Sequence, residues 1–186
     1  MAVAAPTAHH AGPSRLAMNR AGLWLFFFSE CVLFGLLLMS RFYIMGINRE
    51  HVDQLLGLGI TCILLLSSVT AYTSETAQEH DRHRLAQWMM LATIFLGLVF
   101  GLGVAFEWAT AEFTRHEAFG TVFFTMTGLH AAHVISGIGI LGLVWVQMKR
   151  GQYSSKSHWP VSGAVMYWHF VDVVWVFFYP ALYLVK

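Results

Sequence analysis

The stretch FGTVFFTMTGLHAAHVISGIGILGLVWVQM, residues 119–148, runs for thirty positions without an Asp, Glu, Lys or Arg. Wound as an α-helix at 1.5 Å per residue it is about 45 Å long, more than the ~30 Å hydrocarbon core of a bilayer. Four further apolar stretches, 23–43, 54–72, 87–108 and 161–185, each approach or exceed the roughly 20 residues that a transmembrane helix requires. The composition agrees. Of 186 residues 57% are hydrophobic and only 11% charged, against about a quarter charged in an average chain, and the mean hydropathy is +0.59. So much apolar surface exceeds what one soluble core of this length hides. The predicted fold class is therefore all-α, an integral membrane bundle of five transmembrane helices occupying residues 20–186. Residues 1–19 hold Ala, His, Pro and Ser with too little apolar area to offset ordering entropy, and are expected to form a mobile N-terminal tail.

The first apolar run follows Arg15 and Arg20, as a signal peptide would, but it contains Glu30 and shows no small-residue cleavage site, so it reads as the first span. Trp24, Trp88, Trp108, Trp159, Tyr43, Tyr72 and Tyr183 lie near span ends, where an amphipathic ring sits at headgroup level. The connections are short and polar, such as 49–53, 79–84 and 112–117, and leave no room for a soluble domain. Alternate sides carry unequal positive charge. Arg15, Arg20, Arg82, Arg84, Lys149, Arg150 and Lys156 share one side, against Arg41, Arg49, Arg115 and Lys186 on the other. The bias places the N-terminus inside and the C-terminus outside. A net charge of +1 and a pI near 7.9 give no electrostatic footprint for nucleic acid.

Glu30, His130, His133, His169 and Asp172 fall within spans, where even lenient scales charge about 2.5–3.5 kcal/mol for an ionised side chain. Each needs a protein partner. Counting 1.5 Å per residue from the apolar run ends puts Glu30 about 10 Å and His169 about 12 Å from the inner surface, with Asp172 at about 16 Å and His133 at about 22 Å. Glu30 and His169 are thus expected to be level, a position in which a carboxyl and an imidazole can share one proton. His130 and His133 share a helix face at i, i+3, a weak hint of metal that lacks the further ligands a site requires. A bis-histidine haem on His133 and His169 conflicts with their roughly 10 Å difference in depth.

Cys31 and Cys62 sit alone in apolar runs and read as small buried hydrophobes. Gly97 and Gly101, and Gly128, Ala132 and Ser136, recur at four-residue spacing and suit close helix packing. No phosphate-binding glycine loop or nucleophile elbow is present in the sequence, so the chain itself reads as non-catalytic.

Three segments resemble subunit III of the haem–copper respiratory oxidases. Residues 24–34, with Ser29-Glu30 followed by aromatics, look like that family's first helix of this type. Residues 127–137, with His130 and His133, are similar to its two-histidine helix. Tyr167-Trp168-His169-Phe170-Val171-Asp172-Val173-Val174-Trp175 matches its final-helix signature almost letter for letter. The resemblance runs from about residue 20 to the end. The chain departs from the family in having five spans, as bacterial short forms do, in Ala131 between the histidines, in Trp108 after Glu107, and in lacking a proline-rich loop after the first span.

The resemblance implies a bundle parted by a lipid-filled cleft and docked laterally on the catalytic subunit I, with subunit II and further subunits in the same complex. It implies no cofactor in this chain, bound phospholipid, and haem and copper in the partner. Such a subunit is held to stabilise the catalytic subunit and to support proton uptake in an oxidase that reduces oxygen to water in a bacterial plasma membrane. Carried over by motif, Glu30, His130, His133, His169, Asp172 and Glu107 would be buried polar or proton-linked residues, and Trp24 and Trp168 lipid contacts. Two other readings stay open: an accessory protein of a nitric oxide reductase, and a haem-carrying membrane cytochrome.

Overall fold

The computed structural model describes residues 14–45 and 54–184, and every described element is helical. In chain order they are α1 (Arg15–Met45), α2 (Gln54–Glu79), α3 (His83–Thr110), α4 (Ala118–Lys149) and α5 (Trp159–Tyr179). A wider turn at Pro180–Leu184 continues α5. All five are long and apolar enough to cross a membrane. They outrun the apolar stretches from which they were predicted. α1 begins eight residues before Leu23, and α2 continues seven residues past Tyr72. Polar residues leaving the hydrocarbon keep their backbone hydrogen bonds, and neither extension holds a proline to interrupt them. Residues 15–19, assigned to the tail by composition, are consequently helical. Residues 1–13, the 49–53 connection and Lys186 lie outside the described residues.

Helix ends follow local chemistry. α4 stops where Gly151 adopts φ +68°, a conformation glycine enters without a Cβ penalty. There the Gly151 and Gln152 amides turn back to the Met148 and Gln147 carbonyls at 3.0 and 3.2 Å, satisfying acceptors that the helix end exposes. α5 opens with Pro160 in its first turn, where the missing N–H costs nothing. At the far end Pro180 cannot donate to the preceding turn, and the backbone widens over Pro180–Leu184.

Helices α2, α3, α4 and α5 close a ring in which each packs on its two neighbours, while α1 lies outside it against α4 and α5. The ring interior holds Leu64, Met90, Phe100, Met126, His130, Leu141, Trp168 and Trp175, all fully or almost fully buried. Trp168 is the keystone. Its exposure is 0%, its Nε1 donates to Ser67 Oγ at 2.9 Å, and its ring lies over Gly97 and Gly137, where an added Cβ would come within 2.6 and 3.0 Å.

Three expectations change here. Trp168 is not a lipid contact, because the two glycines open a seat for its ring between helices; Trp24, 64% exposed, does face outward. Cys31 and Cys62 are exposed rather than buried. In a bilayer the outer surface is as apolar as the interior, so hydrophobicity alone does not report burial. Of the small-residue stripes, Gly97 makes the close approach, while Gly101 faces open space and Gly128 stands in ordinary contact with Trp108 at 3.5 Å.

Candidate functional site

Two polar seams lie within the apolar slab. The first joins α1 to α4. Glu30 Oε2 stands 3.2 Å from His133 Nε2, each side chain 16% exposed. His133 Nδ1 is 2.9 Å from the Leu129 carbonyl, which can only accept, so Nδ1 carries the hydrogen. Nε2 then faces Oε2 and joins the imidazole of α4 to the acid of α1. Phe34 packs edge-on against the His133 ring at 4.9 Å. Phe27 stacks on Phe170 at 4.9 Å, so aromatic contact supplies most of the rest of this seam. Beside it, Ser136 Oγ and Tyr167 Oη are 2.7 Å apart and join α4 to α5.

Glu30 therefore meets His133, not His169. The depth estimate from apolar run ends misplaced them because the helices start and stop elsewhere. From its real start Glu30 is fifteen residues in, about 22 Å, and His133 is sixteen residues before the end of α4, about 24 Å. His169, ten residues into α5, is at about 15 Å.

The second seam joins α2 to α5 as an antiparallel ladder. Ser68 Oγ donates to Asp172 Oδ2 at 2.5 Å and lies 2.7 Å from His169 Nδ1. A hydroxyl has one hydrogen, so with that hydrogen on Asp172 the His169 Nδ1–H must donate to Ser68 Oγ. The result is a directed chain from imidazole through hydroxyl to carboxylate. Rungs above and below it are Trp168 Nε1 to Ser67 Oγ and Trp175 Nε1 to Thr61 Oγ1, each 2.9 Å. The last rung is Gln54 Nε2 to the Tyr183 carbonyl at 3.1 Å. Tyr183 also donates to Glu107 Oε2 at 2.7 Å, and its ring rests on Gly57, where a Cβ would come within 2.6 Å. Glu107, expected at the end of the third span, is thus tied across the ring to the turn after Pro180.

His130 belongs to neither seam. It is fully buried, and Nε2 donates to the Val171 carbonyl at 3.1 Å. Its ring centre is 4.8 Å from that of Trp175 and 5.7 Å from that of Phe100. The i, i+3 spacing does not bring His130 and His133 to one ligand, since one serves α5 and the other α1. Among the described residues no three His, Cys, Asp or Glu side chains converge as a metal set.

Ser68 had no place among the sequence-derived candidates, although it bridges two of them. The available signal was the Ser67-Ser68 pair in an otherwise apolar run, two hydroxyls at membrane depth that must find acceptors. Outside the spans, the turn between α2 and α3 places Asp81 at φ +55°, and its Oδ1 accepts the Ser155 N–H at 3.2 Å. The Ser155 hydrogen bonds, with the His83 charge adding less, hold this carboxyl below the usual Asp range.

The geometry can be set beside known proteins. The family model for cytochrome c oxidase subunit III matches residues 7–186. Cytochrome c oxidase subunit 3 of Thermostichus vulcanus is 33% identical over 172 residues, 88% of this chain and 85% of that one. The Homo sapiens protein of the same name is 38% identical over 125 residues, covering 66% of this chain and 48% of its own. The Anopheles quadrimaculatus one is 36% identical over 124 residues, covering 66% and 47%. The alignments thus span most of the first relative and about half the length of the other two. A match of this extent on a five-helix bundle, with its acid and imidazole groups held between helices, shows that the chain belongs to the cytochrome c oxidase subunit III family, the non-catalytic third subunit of haem–copper oxidases.

Proposed function

We propose that this chain is the short, five-helix subunit III of a bacterial haem–copper terminal oxidase. It sits in the plasma membrane with the α2–α3 turn and the α4–α5 loop on the inner side, docks laterally on the catalytic subunit I within a complex that includes subunit II, and brings no redox group of its own. Haem, copper and the reduction of oxygen to water belong to the partner. Its own work is to brace the catalytic subunit, retain phospholipid between loosely joined helices, and support proton uptake on the inner side.

The observation that carries this reading is the joining of α1, α2, α4 and α5 by Glu30, Ser68, His133, His169 and Asp172. Their bonds run from helix to helix, with polar groups serving as the glue between spans. Membrane ionisable residues that face protein mark functional positions by default, and here they coincide with the three segments that carry the resemblance. Purification in mild detergent tests the assignment. The expected result is copurification with a larger haem- and copper-containing chain whose visible spectrum disappears from the fraction holding this subunit alone. A nitric-oxide-reducing partner, or a Soret band that stays with the isolated chain, would replace it.

A further inference from the structure

The α2–α3 turn and the α4–α5 loop leave the slab on the same aqueous face and meet through two acids. Asp81 Oδ1 accepts the Ser155 N–H at 3.2 Å, and Glu79 Oε1 stands 3.7 Å from His158 Nε2, both side chains partly exposed. The far side of the His158 ring fixes its hydrogen. Nδ1 is 3.3 Å from the Ser154 carbonyl, which can only accept, so Nδ1 is the donor. In the neutral ring Nε2 is then a bare lone pair facing a carboxylate oxygen, and only a second proton makes the contact attractive. The helix ends add to this. Glu79 is the last residue of α2 and His158 caps the start of α5, where an acid and a cation each oppose the local helix dipole. Neither charge is favoured by its own helix; each is favoured by the other.

We infer that the His158–Glu79 contact is a pH-responsive latch, which holds the first turn of α5 to the end of α2 while the imidazole is protonated and releases it as pH rises. The His158 carbonyl accepts the Val161 and Ser162 N–H groups at 2.9 and 3.2 Å, so a shift of this residue reaches the first turn of α5. Imidazole is the side chain whose charge changes between about pH 5 and 8. The cations nearby do not change there: Arg82, Arg84 and Lys156 on the two connections, and Arg20 of α1, which lies over the Trp159 ring at 5.3 Å. Asp81 is held below the usual Asp range by Ser155 and keeps the loop pinned at that point, so the loop turns about Ser155. Of the other acids, Glu75 stands a turn before Glu79 on α2. Two more imidazoles share this face. His80 Nδ1 donates to the Thr76 carbonyl at 2.8 Å, and His83 Nε2 faces Asp81 at 3.7 Å; among the described residues neither bonds to the α4–α5 loop. The inference goes beyond the oxidase assignment and needs only these two connections. In the orientation proposed above, the controlling quantity is the pH of the inner side.

The test is amide hydrogen exchange of the full-length chain in its complex, resolved to single residues and with the intrinsic pH dependence divided out. From about pH 5.5 to 8 the protection of Val161 and Ser162 is expected to fall about two- to fivefold, the effect of one partly exposed ion pair, while Ser155 stays flat. Glu79→Gln, whose amide can donate to the bare Nε2, should remove the step. Glu79→Ala should remove it too and leave both amides at their high-pH protection. His80→Gln, which takes away an imidazole that faces no acid, should leave the step in place. A flat profile in the unsubstituted chain, a step that survives in Glu79→Gln, or one that is lost in His80→Gln overturns the inference. Both substituted side chains are exposed, and copurification with the haem–copper chain reports separately on assembly, so failure here leaves the assignment of the subunit intact.

Discussion

The α1–α4 seam and the α2–α5 seam both pair an acid and an imidazole within the apolar slab, yet they hold their helices very differently. In its most apolar window α5 has 61% of its residues buried, and α1 only 11%. The α2–α5 ladder has rungs at Ser67, Ser68, Thr61 and Gln54, all facing groups on α5 or the turn after it. α1 has one acid–imidazole contact, a few ring contacts, and Arg20 and Arg41 over the rings of Trp159 and Phe119. Burial in lipid supplies no drive to bring helices together, so packing and hydrogen bonds decide which helix is fixed and which can part. The ring α2–α5 is the rigid body, and α1 is its adjustable rail.

The largest expected effect breaks the rigid side. Trp168→Ala removes a ring seated between Gly97 and Gly137 and leaves Ser67 without its donor, at a cost of about 3–5 kcal/mol. Denaturation followed by tryptophan fluorescence and circular dichroism in detergent reads this. Gly97→Val, which pushes a side chain into the same ring, should weaken the bundle by about 1–3 kcal/mol.

Next comes Ser68→Ala. It deprives both His169 and Asp172 of their bridge inside the protein, and about 1–3 kcal/mol is expected. The same truncation at Ser136, exposed where α4 meets α5, should cost less. Equal losses at the two serines would show that burial within the ring does not set the strength of its bonds.

Glu30→Gln tests the rail. The amide can still donate to His133 Nε2, so stability should change by no more than about 1 kcal/mol, whereas Glu30→Leu leaves the imidazole unmatched and should free α1. Cross-linking between cysteines placed on α1 and α4 would report the separation, and a double-mutant cycle of Glu30 with His133 would isolate their coupling. A coupling near zero would leave α1 held by its ring contacts and by Arg41 over the Phe119 ring.

The smallest effect lies outside both seams. The Asp81 carboxyl is held below its usual range by Ser155, so its contact is fully present above an unfolded value near 4 and fades as pH falls through the lower folded value. The protection factor of the Ser155 amide, with the intrinsic pH dependence of exchange divided out, should therefore be flat between about pH 5 and 8 and fall only in stronger acid. Asp81→Asn, which keeps an oxygen acceptor, should abolish that pH dependence.

The spans and the candidate residues were legible in the sequence because both are one-dimensional signals: thirty uncharged positions at 119–148, and a Glu, three His and an Asp where no ionisable group sits cheaply. Partners were not. Pairing Glu30 with His133 depends on the start of α1, which lies eight residues before its apolar run, in a polar stretch that composition reads as tail. The seat of Trp168 depends on two glycines on different helices meeting one ring. Ser68 matters only because α5 runs antiparallel to α2 in one register, which neither segment specifies by itself. The exposure of Cys31 and Cys62 shows the same limit, since an oily side chain suits lipid and protein alike.

The position of α1 also has a consequence for biogenesis. Glu30 and His133 are separated by 103 positions along the chain, and at 5–20 residues per second a ribosome needs about 5–20 s to make that interval. Helix α1 therefore cannot close its acid–imidazole contact until α4 has been made, and waits unfastened beside the insertion machinery over that interval.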